Sequence, residues 1–332
     1  MRKEIKHIPI INSLRGLAAL LVCFYHFICG TYITDQTLLK IFDYGNKGVQ
    51  IFFIISGIVI PLSMIYSSYK IKSFFKFLLV RFIRIEPPYI MAVILGIFYL
   101  MIRNFIPSSE KMDLTPTIRD MFLHIGYLIP FVEGAKWVSK VFWTLSIEFQ
   151  YYIFLALFLP LALNKKHLLK WIFTCCIVLL PFLTTNVVYF PAWSSFFGLG
   201  IFYAFYISNI YSQKDSLLAG LFCCLTILYS RGVLDLSIAI STLLIIHFFK
   251  DFSFKIGEFF GDISYSLYLL HPLVGLGFIN LLSHKIESPF GKFIVVFIAL
   301  ILSVFSALVF RKFIEKPSQN LARKIKLRLN ND

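Results

Sequence analysis

PIINSLRGLAALLVCFYHFICG, from Pro9 to Gly30, is an apolar stretch about long enough to cross a bilayer, yet it carries Arg15 and His26. Ionisable groups are expensive in hydrocarbon, so each needs a reason to be there. In an α-helix, about 100° and 1.5 Å per residue bring position i+11 back to within about 20° of position i, about 16 Å further along. Arg15 and His26 therefore share one face at two depths. Two readings are open at this point: Arg15 snorkelling to headgroups with His26 as a hydrogen-bonded packing residue, or a cation and a base set along one buried channel.

The 332 residues are 58% hydrophobic and 18% aromatic, with a mean hydropathy of +0.80. That is too much apolar surface for an ordinary soluble core. The apolar runs predict an all-α polytopic membrane protein of about ten transmembrane helices, at approximately 9–30, 47–66, 84–104, 141–163, 168–184, 192–208, 216–230, 233–249, 263–283 and 290–313, in a single membrane domain covering 1–332. The first run is long, lacks a small-residue cleavage site and contains Arg15, so it is expected to stay as a span rather than leave as a signal peptide. Lys and Arg are retained on the cytoplasmic side; about two thirds of the 32 fall in inside segments of this scheme, which places the N- and C-termini in the cytoplasm. The net charge of +15 is mostly this asymmetry, so no nucleic-acid partner is inferred. All six cysteines fall in apolar spans without a C-x2-C pair and read as packing residues, with neither a disulfide framework nor a metal site.

Five further stretches carry chemistry. GNKGVQIFFIISGIVI, Gly45 to Ile60, has Gly48, Ser56 and Gly57 for close helix approach, with Gln50 among them. KSFFKFLLVRFIRIEPPYI, Lys72 to Ile90, presents Lys72, Lys76, Arg81 and Arg84 at helical intervals before Pro87 and Pro88 reshape the start of the third span. It is either a basic helix on anionic headgroups or a phosphate clamp, since guanidinium groups bind phosphate bidentately. FWTLSIEFQYYIF, Phe142 to Phe154, sets Glu148 about 10 Å below the outer boundary, a depth similar to that of His26. SSFFGLGIFYAF, around Gly198 and Gly200, reads as small-residue packing. GDISYSLYLLHPL, Gly261 to Leu273, places His271 about mid-membrane beside Pro272. Between Asn104 and Lys140 an outer loop is expected, its apolar part Met121 to Val132 being an interfacial or re-entrant helix or else a spacer. RKFIEKPSQ, Arg311 to Gln319, puts Glu315 and Pro317 at the cytoplasmic end of the last span, with Glu315 available to the basic loop, and the Lys and Arg residues after it read as a solvated, headgroup-facing tail.

Arg15-x10-His26, Arg81-x-x-Arg84-Ile85-x-Pro87 and Trp143-x-Leu145-Ser146-x-Glu148-x-x-Tyr151 occur in the order and spacing of a known family. The chain resembles the acyltransferase 3 family, integral membrane enzymes that move acyl groups from acyl-coenzyme A to extracytoplasmic carbohydrates and related acceptors. The resemblance implies His26 as general base, with an unperturbed pKa of about 6.5 that suits the task, and Glu148 as the carboxylate that orients or steadies it. It further implies Arg81 and Arg84, with Arg15, as the coenzyme A phosphate site, and Trp143, Ser146 and His271 as pocket residues. Gln50 departs from the family pattern, which often has an acid there. The implied donor substrate is acyl-CoA, in the first instance acetyl-CoA, with no permanently bound cofactor and no metal. The implied acceptor is a hydroxyl of a surface polysaccharide, lipopolysaccharide or other glycolipid, the implied location the bacterial inner (plasma) membrane among its lipids, and no extracytoplasmic esterase-like domain is expected. No Ser or Cys has a better claim to nucleophilic work, so direct transfer is preferred. The rival class is a secondary transporter or flippase, since intramembrane Arg, His and Glu also mark transport pathways, but the related halves expected of one are not visible.

Overall fold

The computed structural model describes residues 8–29, 35–104, 116–282 and 285–331, and among these there is no strand. The helices are α1 (Ile10–Cys29), α2 (Gln36–Asp43), α3 (Gly48–Tyr66), α4 (Phe74–Asn104), α5 (Ile118–His124), α6 (Trp143–Ala162), α7 (His167–Leu179), α8 (Ser194–Ile207), α9 (Gln213–Arg231), α10 (Val233–Phe248), α11 (Lys255–His271), α12 (Gly277–Leu282), α13 (Pro289–Phe310) and α14 (Lys316–Asn331). Among the described residues seven helical stretches are long and apolar enough to cross a membrane: Ile10–Cys29, Gln36–Tyr66, Ile71–Arg103, Trp143–Ala162, Phe190–Ile207, Lys255–Leu282 and Pro289–Lys326. The sequence predicts ten. Of the remaining three, His167–Phe182 and Val233–Phe248 are apolar but shorter, and the run at 216–230 is α9, which is not among the seven. Outward faces are apolar, with Phe98, Phe297 and Phe305 61%, 63% and 64% exposed, the reverse of a water-facing surface and what lipid demands.

Three of these helices, α3, α4 and α6, run through proline, and in α4 the way it does so corrects the expected boundary. Proline has no N–H, so the carbonyl four residues before it loses its backbone donor, and hydrocarbon offers no water in exchange. The sequence predicts a third span beginning at 84, its entry reshaped by Pro87 and Pro88. Instead α4 is one helix from Phe74 to Asn104 with both prolines inside it. The freed carbonyls are those of Ile83 and Arg84, and the Ser318 hydroxyl lies 2.5 Å from the first and 3.0 Å from the second. In α6, Pro160 frees the Ala156 carbonyl, which accepts from the Tyr69 hydroxyl at 2.8 Å. The chain after Pro317 is helical too: α13 passes through a π-turn at Arg311–Glu315 into α14, which buries Ser318 and Ala322 and leaves Asn320, Leu321, Arg323 and Lys324 exposed. The ninth span, expected from 263, begins at Lys255.

By internal packing the chain falls into two compact units, Met1–Ala18 with Lys47–Leu78 and Ile147–Glu258, and Ala19–Asn46 with Leu79–Ser146 and Phe259–Asp332. In the first unit α3 and α8 press backbone to backbone. A Cβ on Gly57 would fall 2.3 Å from the Phe197 carbonyl oxygen, and one on Gly200 would fall 2.2 Å from that of Ile54. Gly198 faces Ile177 and Cys223, so the glycines of this block serve packing, as their small size predicts. Lys47 and Asp235 pair at 2.6 Å, and the Arg231 guanidinium stands 4.1 Å from the Trp193 ring centre. All six cysteines are free thiols.

In the second unit the segment 116–142 packs along α4. A capping box of Thr117 and Asp120 opens α5, and Asp120 also accepts from the Lys136 N–H at 3.3 Å. Gly126, at φ +75 in the left-handed region, turns its N–H onto Glu86 Oε1 at 3.0 Å. Glu86 lies 18 residues before the end of α4, which is about 27 Å back along the helix. The segment thus runs back alongside the helix that the chain has just left.

Candidate active site

Of the sequence-predicted site residues, the second unit holds His26, Arg81, Arg84, Trp143, Ser146 and His271, and the first holds Arg15 and Glu148. The structure brings His26 and His271 together: their ring centres are 5.1 Å apart and the rings nearly perpendicular, 78°. Close approach of their elements depends on Gly275. A Cβ there would fall 2.2 Å from the Phe27 ring on α1 and 2.5 Å from Ser303 Oγ on α13.

Both imidazoles are held in the same way. His26 Nδ1 lies 3.1 Å from the Val22 carbonyl oxygen, one turn back on α1. A carbonyl can only accept, so Nδ1 carries the proton and Nε2 keeps the lone pair. The tautomer of His26 is therefore set within its own helix, without a carboxylate at Nδ1. His271 Nδ1 lies 2.9 Å from the Tyr268 carbonyl oxygen and 3.2 Å from that of Leu267. Tyr268 is the residue whose carbonyl Pro272 deprives of a backbone donor, so the dipeptide His271-Pro272 creates the acceptor that orients its own histidine. His271 is fully buried, and its Nε2 has no hydrogen-bond partner among the described residues. The Tyr268 hydroxyl reaches Thr144 Oγ1 at 2.8 Å and the Val141 carbonyl at 3.1 Å, joining this turn to the start of α6. There Trp143 is half-buried, and the buried Ser146 donates to the Tyr127 carbonyl at 3.2 Å, which makes it an anchor for the descending segment.

Arg81 is buried and Arg84 exposed on the same stretch of α4. The Tyr265 hydroxyl donates to the Ile85 carbonyl at 2.8 Å, and α14 docks here through Ser318. Ser318, Ala322 and Lys326 follow at four-residue spacing, so one stripe of α14 faces the arginines, and Lys326 is close enough to act electrostatically on both. Sequence reasoning had no signal for this third cation, since it comes from the far end of the chain. Glu315 accepts from the Ser266 hydroxyl and from Gln319 Nε2 at 2.7 Å.

In the first unit Glu148 accepts from the Ser56 hydroxyl at 3.3 Å and from the Tyr152 hydroxyl. Tyr152 stands at i+4 from Glu148, a spacing that was readable, whereas Ser56 reads in the sequence only as a small residue. Arg15 is half-buried on α1, and Gln50 is buried on α3. Among the described residues no group of three or more His, Cys, Asp or Glu could hold a metal ion.

Residues 8–312 match the family profile described as an acyltransferase domain, that of acyltransferase 3. A candidate acetyltransferase of Acidianus two-tailed virus is 30% identical over 294 residues, 80% of this chain and 83% of that protein. A candidate O-acetyltransferase of Staphylococcus aureus (strain COL) is 28% identical over 184 residues, 52% of this chain and 28% of that protein. No solved structure matches the chain.

Proposed function

Since the chain belongs to the acyltransferase 3 family, we propose that it transfers an acyl group, most simply acetyl, from cytoplasmic acyl-CoA to a hydroxyl of an extracytoplasmic polysaccharide or glycolipid. The observation that carries this reading is a half-buried histidine of fixed tautomer: His26 keeps its Nδ1 proton on the Val22 carbonyl and so offers Nε2 as a base. As the acceptor oxygen attacks the thioester carbonyl carbon, its proton moves to His26 Nε2. The tetrahedral intermediate collapses with cleavage of the C–S bond, and the proton passes to the departing coenzyme A thiolate. Arg81 and Arg84 bind the donor's phosphates, supported by Arg15, as paired guanidinium groups do.

The proposed setting is a bacterial plasma membrane, with ten crossings and both termini in the cytoplasm; the distribution of basic residues supports this. Mass spectrometry of surface glycans from cells with and without the protein tests the reaction. An acyl group that disappears with the protein supports the reading, and identical glycans in both would refute it. Purified protein in lipid nanodiscs should also release free coenzyme A thiol from acetyl-CoA only when acceptor is present.

A further inference from the structure

Lys326 stands beyond residue 312, where the family match ends, and the reaction described above gives it no task. Its place is nonetheless fixed. The Ser318 hydroxyl ties α14 to the Ile83 and Arg84 carbonyls at 2.5 and 3.0 Å, and Lys326 follows Ser318 by two turns, about 12 Å along the helix. There it is half-buried and within electrostatic reach of both Arg81 and Arg84. Among the described residues neither Arg84 nor Lys326 has an ion-pair or side-chain hydrogen-bond partner. The carboxylates nearest along the two helices accept elsewhere, Glu86 from the Gly126 N–H and Glu315 from Ser266 and Gln319. Like charges held together repel, and a half-buried ammonium also gives up part of its hydration. A helix that only had to dock through Ser318 and Ala322 would do better with an uncharged residue at 326. Lys326 becomes favourable there when an anion lies among the three cations.

We propose that Lys326 is the third phosphate-binding cation of the donor site, and that with Arg81 and Arg84 it takes the anhydride phosphates and the phosphomonoester of coenzyme A together. The two anhydride phosphates carry one charge each and the monoester about 1.5–2 near pH 7, so two guanidinium groups neutralise only about half of the total. A third cation raises this to about three quarters. The guanidinium fork matches phosphate oxygens in a fixed geometry, whereas the ammonium is a compact charge on a flexible stem that can follow whichever phosphate the forks leave open. A lipid phosphodiester offers the same chemistry but a single charge, which the two arginines already exceed. The count therefore favours the donor over a headgroup as the anion that Lys326 meets.

The inference rests on the reading of Arg81 and Arg84 as the donor's phosphate site, and its test separates the two. Coenzyme A is titrated calorimetrically into the full chain in maltoside micelles, which contain no phosphate. Lys326→Gln should weaken binding about 10-fold, the lower end of what a hydrogen bond to a charged group is worth, and Lys326→Arg should retain most of the affinity. Lys324→Gln removes the same charge from an exposed position about 200° round the helix and should bind as the wild type does. Without ligand, Lys326→Gln should melt at the wild-type temperature or above it, because repulsion among the cations is relieved; a lysine kept for packing would give the opposite sign. Undiminished affinity in Lys326→Gln, equal losses in the 326 and 324 variants, or a lower melting temperature of ligand-free Lys326→Gln would each overturn the proposal. So would a Lys326→Gln protein that binds coenzyme A normally but loses affinity for phosphatidylglycerol added to the micelles, which would make the cluster a headgroup site. Should the wild type not bind coenzyme A at all, the donor-site reading itself falls; should wild type and Lys326→Gln bind it equally, only the third cation does.

Discussion

Removing one hydroxyl from Tyr69 probes how this fold tolerates proline in its helices. Tyr69 is almost fully buried, and its hydroxyl donates at 2.8 Å to the Ala156 carbonyl, which Pro160 leaves without a backbone donor. Ala156 has no exposed surface, so Tyr69→Phe leaves that oxygen unsatisfied, with no water to replace the phenol. An orphaned buried acceptor costs about 1–3 kcal/mol in soluble proteins. Side-chain hydrogen bonds measured within membranes average about 0.6 and reach about 1.7 kcal/mol, so about 0.5–2 kcal/mol is expected here. The informative experiment is the double-mutant cycle with Pro160→Ala, which returns an N–H to position 160 and lets the helix satisfy Ala156 itself. In that background Tyr69→Phe should cost close to nothing, giving a coupling energy of about the full single-mutant loss. Reversible unfolding in bicelles, followed for the four proteins, measures this directly. If Tyr69→Phe costs the same with and without Pro160, the hydroxyl is not standing in for the missing N–H, and the account given for the prolines of α4 falls with it.

The other predictions concern the site and its surroundings. His26→Ala should lose about 10²–10⁴-fold in turnover while still binding acyl-CoA in a filter or calorimetric assay, and Glu148→Gln added to it should cost little more if the two residues serve one step. Arg84→Ala, on an exposed position of α4, should raise the KM for acyl-CoA by the equivalent of about 1.5–3 kcal/mol with kcat retained; an unchanged KM would make the basic stretch a headgroup anchor only. Reporter fusions at Lys72 and Lys166 should read cytoplasm and one at Glu287 the outside, and an outside reading at Lys72 would remove the donor site from Arg81 and Arg84. Burial pushes the Asp120 carboxyl up, but hydrogen bonds from Thr117 and Lys136, with the Arg119 charge, outweigh it and hold it below its ordinary value. A depressed carboxyl contributes stability above the unfolded value of about 3.9 and loses it as pH falls through the folded one, so the 116–142 segment should open to pepsin below about pH 4. In Asp120→Asn that pH dependence should be absent.

The sequence by itself determined what depends on neighbours along the chain. Apolar length makes α1, α3, α6, α8 and α13 readable, helix arithmetic puts Arg15 and His26 on one face, and the small side chains of Gly57 and Gly200 announce a close crossing. The motif around Glu148 was also legible, because its residues are local to one helix. Only the tertiary structure decided where helices continue and which polar groups meet. A proline ends a helix or not according to whether something satisfies the carbonyl four residues back. For α4 that is Ser318, 235 residues away from Ile83. Tyr69, 87 residues from Ala156, does the same for α6. No local propensity contains that information, and so the boundary expected at 84 was misplaced. The pairing of His26 with His271 has the same origin: each ring's tautomer follows from its own helix, but their meeting requires Gly275 to settle against Phe27, and that contact exists only in the folded chain.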